Sequence, residues 1–352
     1  RRQFGDELFE VMREIKRLID PKGFLNPGVV LAEEDTDYAT DLKVAETVEE
    51  EVDRCVECGY CEPVCPSKDL TLTPRQRIVL RREIAAAEAN GDTKLAERLR
   101  QEYEYYGVDT CAVDGMCVTR CPVLINTGDL VRRLRAENQD ALGAAGWKFA
   151  SKHWGTIDKV AGKALTAAKM LPFPVVRGAT DIGRKLFGED MVPAYKKGLS
   201  AGGAPRVPHA EANPDIVFFH ACVNAMFGGV DGEGKHDPVN ATQAFIRLCE
   251  RAGVKYRVPE GIDQMCCGTP WKSKGYTDGY SIMSDRVLKA LWEATDGGRI
   301  PIVCDASSCT EGLEVMRAKV AAALEHKITH GLGAGEADYA QLKLIDSVQF
   351  AA

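Results

Sequence analysis

Seven of the thirteen cysteines fall into two blocks that share one spacing. The first block, CVECGYCEPVCP, carries Cys55, Cys58, Cys61 and Cys65, followed by Pro66. The second, CAVDGMCVTRCP, carries Cys111, Cys117 and Cys121, followed by Pro122, and has Asp114 where the first block has Cys58. Thiolates at C-x2-C-x2-C-x3-C-P spacing wrap iron–sulfur clusters. Zinc is served less well, because structural zinc takes two separated cysteine pairs around one tetrahedral ion. A disulfide framework belongs to short secreted chains in an oxidising compartment. The doubled block therefore points to two iron–sulfur sites and to electron transfer.

The spacing resembles that of bacterial two-cluster ferredoxins. There, three cysteines hold one cubane and the fourth, set off by its proline, reaches the neighbouring cluster. This implies a first [4Fe–4S] cluster on Cys55, Cys58, Cys61 and Cys121. It implies a second on Cys65, Cys111 and Cys117. Asp114 either ligates that cluster through a carboxylate oxygen or leaves its corner empty, so [4Fe–4S] and [3Fe–4S] are both open.

A second constellation lies further along: Cys222 after FFHA, Cys266 and Cys267 in MCCGTPWKSKG, and Cys304 and Cys309 in VCDASSC. Each follows or ends an apolar run read as a strand, and loops at the carboxyl ends of parallel strands are where open α/β sheets build their sites. Adjacent cysteines point different ways, which suits a cluster or a redox pair better than packing. The alternative is a set of small buried hydrophobes, and that is the reading for Cys249 inside AFIRLCERAG. No catalytic residue and no flavin-contact residue is assigned.

The elements that position these groups follow from periodicity. Residues 4 to 19 carry Leu8, Val11, Met12, Ile15, Leu18 and Ile19 at helical spacing, ending at Asp20-Pro21-Lys22-Gly23. Thr73-Pro74 is a cap with proline at the first helical position. One helix is expected from there to Asn90-Gly91-Asp92, and a second from that turn to near Gly107. NTGDLVRRLR opens another helix, with Leu130, Val131 and Leu134 on one face. Residues 141 to 200 read as helical, with an apolar stripe through Trp147, Trp154, Ile157, Val160, Ala161 and Leu165. That stripe either packs on its own protein or lies at a lipid interface. From Pro214, strands (216–219, 301–303) alternate with helices (242–252), as in a parallel α/β sheet.

At 352 residues the chain has room for two or three domains, and its net charge is −7. Residues 32–54 are strongly acidic, whereas residues 147–200 hold ten Lys/Arg against four Asp/Glu. Nucleic acid is not an expected partner, because the wide basic face interleaved with aromatics is missing. Thirteen cysteines fit a reducing compartment, so a cytoplasmic protein is expected, with peripheral contact to the inner face of the cell membrane through the basic helical stretch.

Three segments agree on one family. ELFEVMREIKRLIDPKGFLNPGVV resembles the last helix and tail of flavin-binding oxidoreductases related to vanillyl-alcohol oxidase. The middle is similar to the two-cluster module of succinate dehydrogenase and glycolate oxidase iron–sulfur subunits. The CCG segment resembles the cysteine-rich domain of heterodisulfide reductase and anaerobic glycerol-3-phosphate dehydrogenase. In this order they look like FAD- and iron–sulfur-containing D-lactate and D-2-hydroxyglutarate dehydrogenases. The resemblance implies an α+β chain in which a helical two-cluster ferredoxin module is followed by an α/β CCG domain. Its expected parts are a flavin-domain tail (1–31), the ferredoxin module (45–140), a basic helical linker (141–210) and a first CCG copy (211–352). It also implies FAD in a flavin-binding domain or subunit outside these residues, a quinone or another carrier as acceptor, and a chain that is part of a larger polypeptide. The alternatives are a heterodisulfide-reductase-like thiol–disulfide subunit and a non-catalytic wiring subunit.

Overall fold

The computed structural model describes residues 3–28, 31, 46–189, 192–229, 240–329 and 338–352. The expected acidic linker falls largely on residues 32–45, outside the described residues. The helix α1 (Gly5–Ile19) ends at Asp20, whose carboxylate accepts from the backbone N–H groups of Phe24 and Leu25 at 2.9 and 2.8 Å. Phe9 is buried, but Leu8, Val11, Ile15, Leu18 and Ile19 stand exposed along the helix.

The first compact unit is built on α2 (Pro74–Ala89), α3 (Thr93–Tyr103) and α4 (Thr127–Glu137), with a π-helical turn at Glu104–Asp109. At the start of α2, Thr73 and Gln76 form a reciprocal capping box with Pro74 at the first position. Val52, Ile78, Ile84, Tyr103, Leu130 and Val131 are among its core. The cysteine loops lie on the flanks of this core, before α2 and between α3 and α4.

Next come α5 (Ala141–Lys152), α6 (Trp154–Met170) and α7 (Phe173–Phe187), then an α/β unit. It consists of β1 (Ile216–Phe219), α8 (Cys222–Met226), α9 (Ala241–Ala252), β2 (Tyr256–Arg257), α10 (Thr269–Lys274), α11 (Thr277–Ala294), β3 (Ile302–Cys304), α12 (Ser307–Thr329), β4 (Leu344–Asp346) and α13 (Ser347–Ala351). The sheet is parallel throughout, in the order β2-β1-β3-β4. Helices and one small parallel sheet thus make a mixed architecture, consistent with the expected α+β class.

The C-terminal segment was not legible in the sequence, and of the two readings of the helical stripe the structure shows packing on its own protein at the tryptophan end. That C-terminal segment forms a strand of three residues and then turns helical at Ser347, where the Asp346 side chain accepts from the Val348 N–H. The stretch expected to be a linker packs on the α/β unit: α5 lies along α11 and α6 against α8. The Trp271 indole sits 5.0 Å from Trp154 and 5.9 Å from Trp147, and its Nε1 donates to the Trp147 carbonyl at 2.8 Å. The tryptophan end of the stripe is therefore core, while Val160 and all of α7 are left outside it.

Candidate metal centres

The two cysteine blocks fold as the same loop twice. Glu57 and Val113, at matching positions, have φ of 58° and 55°, and Gly59 and Gly115 follow at 81° and 72°. A β-branched valine in the left-handed region is an outlier. Local strain of this kind persists where surroundings over-determine the backbone.

One cavity, with about 360 Å³ of empty volume, is lined by Cys55, Cys58, Cys61 and Cys121 together with Ile78 and Ile125. A second, of about 300 Å³, is lined by Cys65, Cys111, Cys117 and Asp114. Each crossed set expected from the sequence thus meets at one cavity. Among the described residues, no three His, Cys, Asp or Glu donors come close enough for a single metal ion. A zinc site would hold its sulfurs roughly 3.8 Å apart, given Zn–S bonds of about 2.3 Å. The cysteines of each set line a shared space rather than converge on one ion.

Burial pushes the Cys61 thiol up to about 11 and also raises that of Cys117, so taking up a cluster there releases protons. Asp114 has a second use. Its Oδ1 accepts from the Met116 N–H at 3.2 Å, at the start of the 3₁₀ turn Met116–Arg120, while the side chain is exposed at the cavity edge.

Three arginines that sequence reasoning missed tie these loops down. Arg77, buried on α2, donates to the Gly107 carbonyl at 2.7 Å and the Ser67 hydroxyl at 3.3 Å, and its Nη1 lies 3.8 Å from Cys65 Sγ. Arg82 donates to Glu57 and to the carbonyls of Asp53 and Cys55. Arg135 on α4 donates to the carbonyls of Val108, Asp109 and Cys111, and across to Ser273 at 2.6 Å. The only sequence signal was the polar inward face of α2, which ordinary amphipathic reading discounts.

In the α/β unit the chain leaves β1 for β2 on one side and returns to β3 on the other. The carboxyl ends of β1 and β3 therefore form the topological switch point, where such sheets bind ligands. Cys222 follows β1, Cys266 and Cys267 follow β2, and Cys309 opens the helix after β3. Asp305 straps the crevice, accepting from the Ala221 N–H at 2.7 Å and Asn224 Nδ2 at 3.0 Å. Cys222 Sγ lies 3.6 Å from Cys266 Sγ. Hydrogen bonds from Cys266 and Cys309 hold the Cys267 thiol well below its ordinary value, and those of Cys266 and Cys309 are raised in turn. The hydrogen bond with Cys266 lowers the Cys222 thiol as well, so the four thiols form one coupled array. Cys304 stands at the end of β3 beneath it, bonded to Thr310 and raised by burial. Cys249 is buried in the core of this unit, as expected of a packing residue.

Residues 51–125 match the family model of the 4Fe-4S dicluster domain. That segment is similar to iron–sulfur dicluster modules. Residues 1–30 match the C-terminal domain of FAD linked oxidases, so a fragment of that domain opens the sequence. Together they suggest the electron-transfer part of an FAD-linked oxidase-type enzyme, an oxidoreductase with iron–sulfur clusters and FAD. No curated protein and no solved structure matches the chain.

Proposed function

We propose that this chain is the electron-transfer portion of an FAD-dependent D-2-hydroxy acid dehydrogenase of the D-lactate type. Electrons leaving the flavin would pass through two clusters to a quinone or another carrier. One observation carries the reading: cysteines from two separate blocks ring two shared cavities, in a chain that also bears the tail of an FAD-linked oxidase domain. Clusters, when bound, accept and release single electrons at potentials set by ligands, charge and burial. The first would rest on Cys55, Cys58, Cys61 and Cys121, and the second on Cys65, Cys111, Cys117 and the Asp114 corner. Arg77 places a fixed cation beside Cys65, and Arg135 joins the Cys111 loop to α10, which begins two residues after Cys267. The array of Cys222, Cys266, Cys267 and Cys309, with Cys304 beneath, would be a third redox site of CCG type. On this reading residues 1–31, 45–140, 141–210 and 211–352 are the flavin tail, ferredoxin module, helical segment and CCG domain.

A second reading is favoured by the same array, whose paired thiols, with those of Cys222 and Cys267 lowered by their neighbours, suit thiol–disulfide exchange of the heterodisulfide-reductase kind. Membrane contact belongs to the first reading. Among the described residues no helix is long and apolar enough to cross a membrane. Yet α7 presents Val175, Ile182 and Leu186 to solvent beside Arg184 and Lys185, a pattern that suits an anionic lipid surface. Sedimentation with anionic liposomes should show salt-sensitive binding that Ile182→Asp abolishes. The reaction itself is tested on the polypeptide that includes the flavin domain, with a panel of D-2-hydroxy acids and a dye acceptor. Substrate-dependent dye reduction is expected. Reduction of small disulfides without hydroxy acid oxidation would favour the second reading.

A further inference from the structure

The two cysteine-lined cavities are not equally open. In the first set Cys58 is exposed and Cys55, Cys61 and Cys121 are half-buried, whereas Cys65 and Cys117 of the second set are buried. The rim of the first cavity is also apolar. Val56, 68% exposed, lines that cavity together with Pro122 and Val123, and Tyr60 at 68% and Leu124 at 69% stand in the same two loops. Arg54 fastens the loops together, its Nη2 donating to the Leu124 carbonyl at 3.0 Å. Single exposed apolar side chains are ordinary, but several gathered around one site mark a contact surface.

The second cavity already has a neighbour. Arg135 on α4 joins the Cys111 carbonyl to that of Ser273 on α10, and Gln139 donates to the Gly275 carbonyl. That side of the module faces the α/β unit, while the rim of the first cavity faces solvent. The sequence itself points to what covers the rim. Residues 1–30 match the C-terminal domain of FAD linked oxidases, and Cys55 follows only twenty-five residues later. The last part of that connection is fixed to the module: Arg133 Nε donates to Glu51 at 2.7 Å, and the Val48 and Glu49 N–H groups donate to Asp53. At no more than about 3.6 Å per residue, a flavin domain continuous with the tail stays near the first block at high effective concentration.

We propose that the rim formed by Val56, Tyr60 and Leu124 is the surface on which the flavin-binding domain docks, so that electrons enter the module through the first cluster. The inference rests on the electron-transfer reading and names its point of entry. Electron transfer falls off steeply with distance, which favours the more exposed of the two sites as the one that meets the partner. Each transfer takes one electron from the reduced flavin and reduces one cluster by one. The tether assigns the partner, and the exposed apolar rim assigns the face.

The test compares this chain with the polypeptide that includes the flavin domain, each carrying its clusters. Hydroxyl-radical footprinting should show Val56, Tyr60 and Leu124 protected in the longer polypeptide. Leu70, 82% exposed in the loop after Cys65, should react equally in both. Flash photoreduction of the flavin, followed by bleaching of the clusters, then measures transfer without any substrate. A Tyr60→Asn, Leu124→Asn double variant should slow transfer about tenfold or more, the loss of about 1.4 kcal/mol of docking, and Leu70→Asn should match the parent. Asparagine accepts the left-handed backbone that Leu124 holds at φ 55°. Iron content and cluster potentials check that the clusters are unchanged; should the double variant lose iron, the footprint decides alone. Equal footprints in the two polypeptides, unchanged transfer in the double variant, or equal slowing in Leu70→Asn would overturn the docking face. If hydroxy acids reduce the flavin and its electrons reach the clusters equally fast in parent and double variant, only this inference fails. A parent whose photoreduced flavin passes nothing to the clusters would sink the electron-transfer reading itself.

Discussion

At the scale of single residues, the grouping of the cysteines around two cavities was legible because their spacing is a covalent property of the chain. The groups around them were not, because a guanidinium bonded to a carbonyl thirty residues away depends on tertiary structure. Arg77 is the clearest case. Its cation near Cys65 stabilises the more negative, reduced state of a cluster ligated there. Arg77→Met should therefore lower that cluster's midpoint potential, on the order of 60 mV, or about 1.4 kcal/mol for one electron. Redox titration followed by EPR measures it, and an unmoved potential would assign Arg77 to packing alone. Asp114 presents a choice between a ligand and the hydrogen bond it accepts from the Met116 N–H. If it is a ligand, Asp114→Asn should alter the second cluster's EPR signal. If the corner is empty, the parent as isolated should show the oxidised [3Fe–4S] signal and Asp114→Cys should remove it. An Asp114→Asn variant with lower thermal stability and an unchanged spectrum would leave only the hydrogen bond to Met116.

At the scale of elements, the capped helices between the blocks and the strand at 216–219 were readable from local chemistry. The attachment of α5 and α6 was not. Their sequence is rich in Ala, Gly and Lys, and the partner that buries Trp147 and Trp154 lies more than a hundred residues away. Trp271 is fully buried and touches both indoles, so it fastens the helical segment to the α/β unit. Trp271→Ala should cost about 3–5 kcal/mol by loss of buried surface and creation of a cavity. Denaturant unfolding followed by far-UV circular dichroism should show that loss as a lower midpoint. A cost below about 1 kcal/mol would mean that the three indoles do not act as one core.

At the scale of the molecule, the helical module docks on the α/β unit through α4 and α10. Two cavities lie in the helical module, and one crevice lies at the sheet's switch point, with α4 and α10 packed between them. Gly275 permits that contact, since a Cβ there would meet the Ala136 backbone nitrogen at 2.6 Å. Sequence alone supplied the order of the parts but not this docking, which is made by backbone carbonyls and a glycine. The central claim is that the two cysteine blocks hold two clusters with crossed ligands. It is tested most directly by iron and sulfide analysis with reduced-state EPR on the anaerobically reconstituted chain, beside Cys121→Ala. The account predicts about seven or eight irons in the parent. In Cys121→Ala it predicts loss or conversion of the signal from the Cys55 cluster, while the Cys111 cluster keeps its own. Zinc in place of iron, or a Cys121→Ala variant that loses the Cys111 cluster instead, would contradict it.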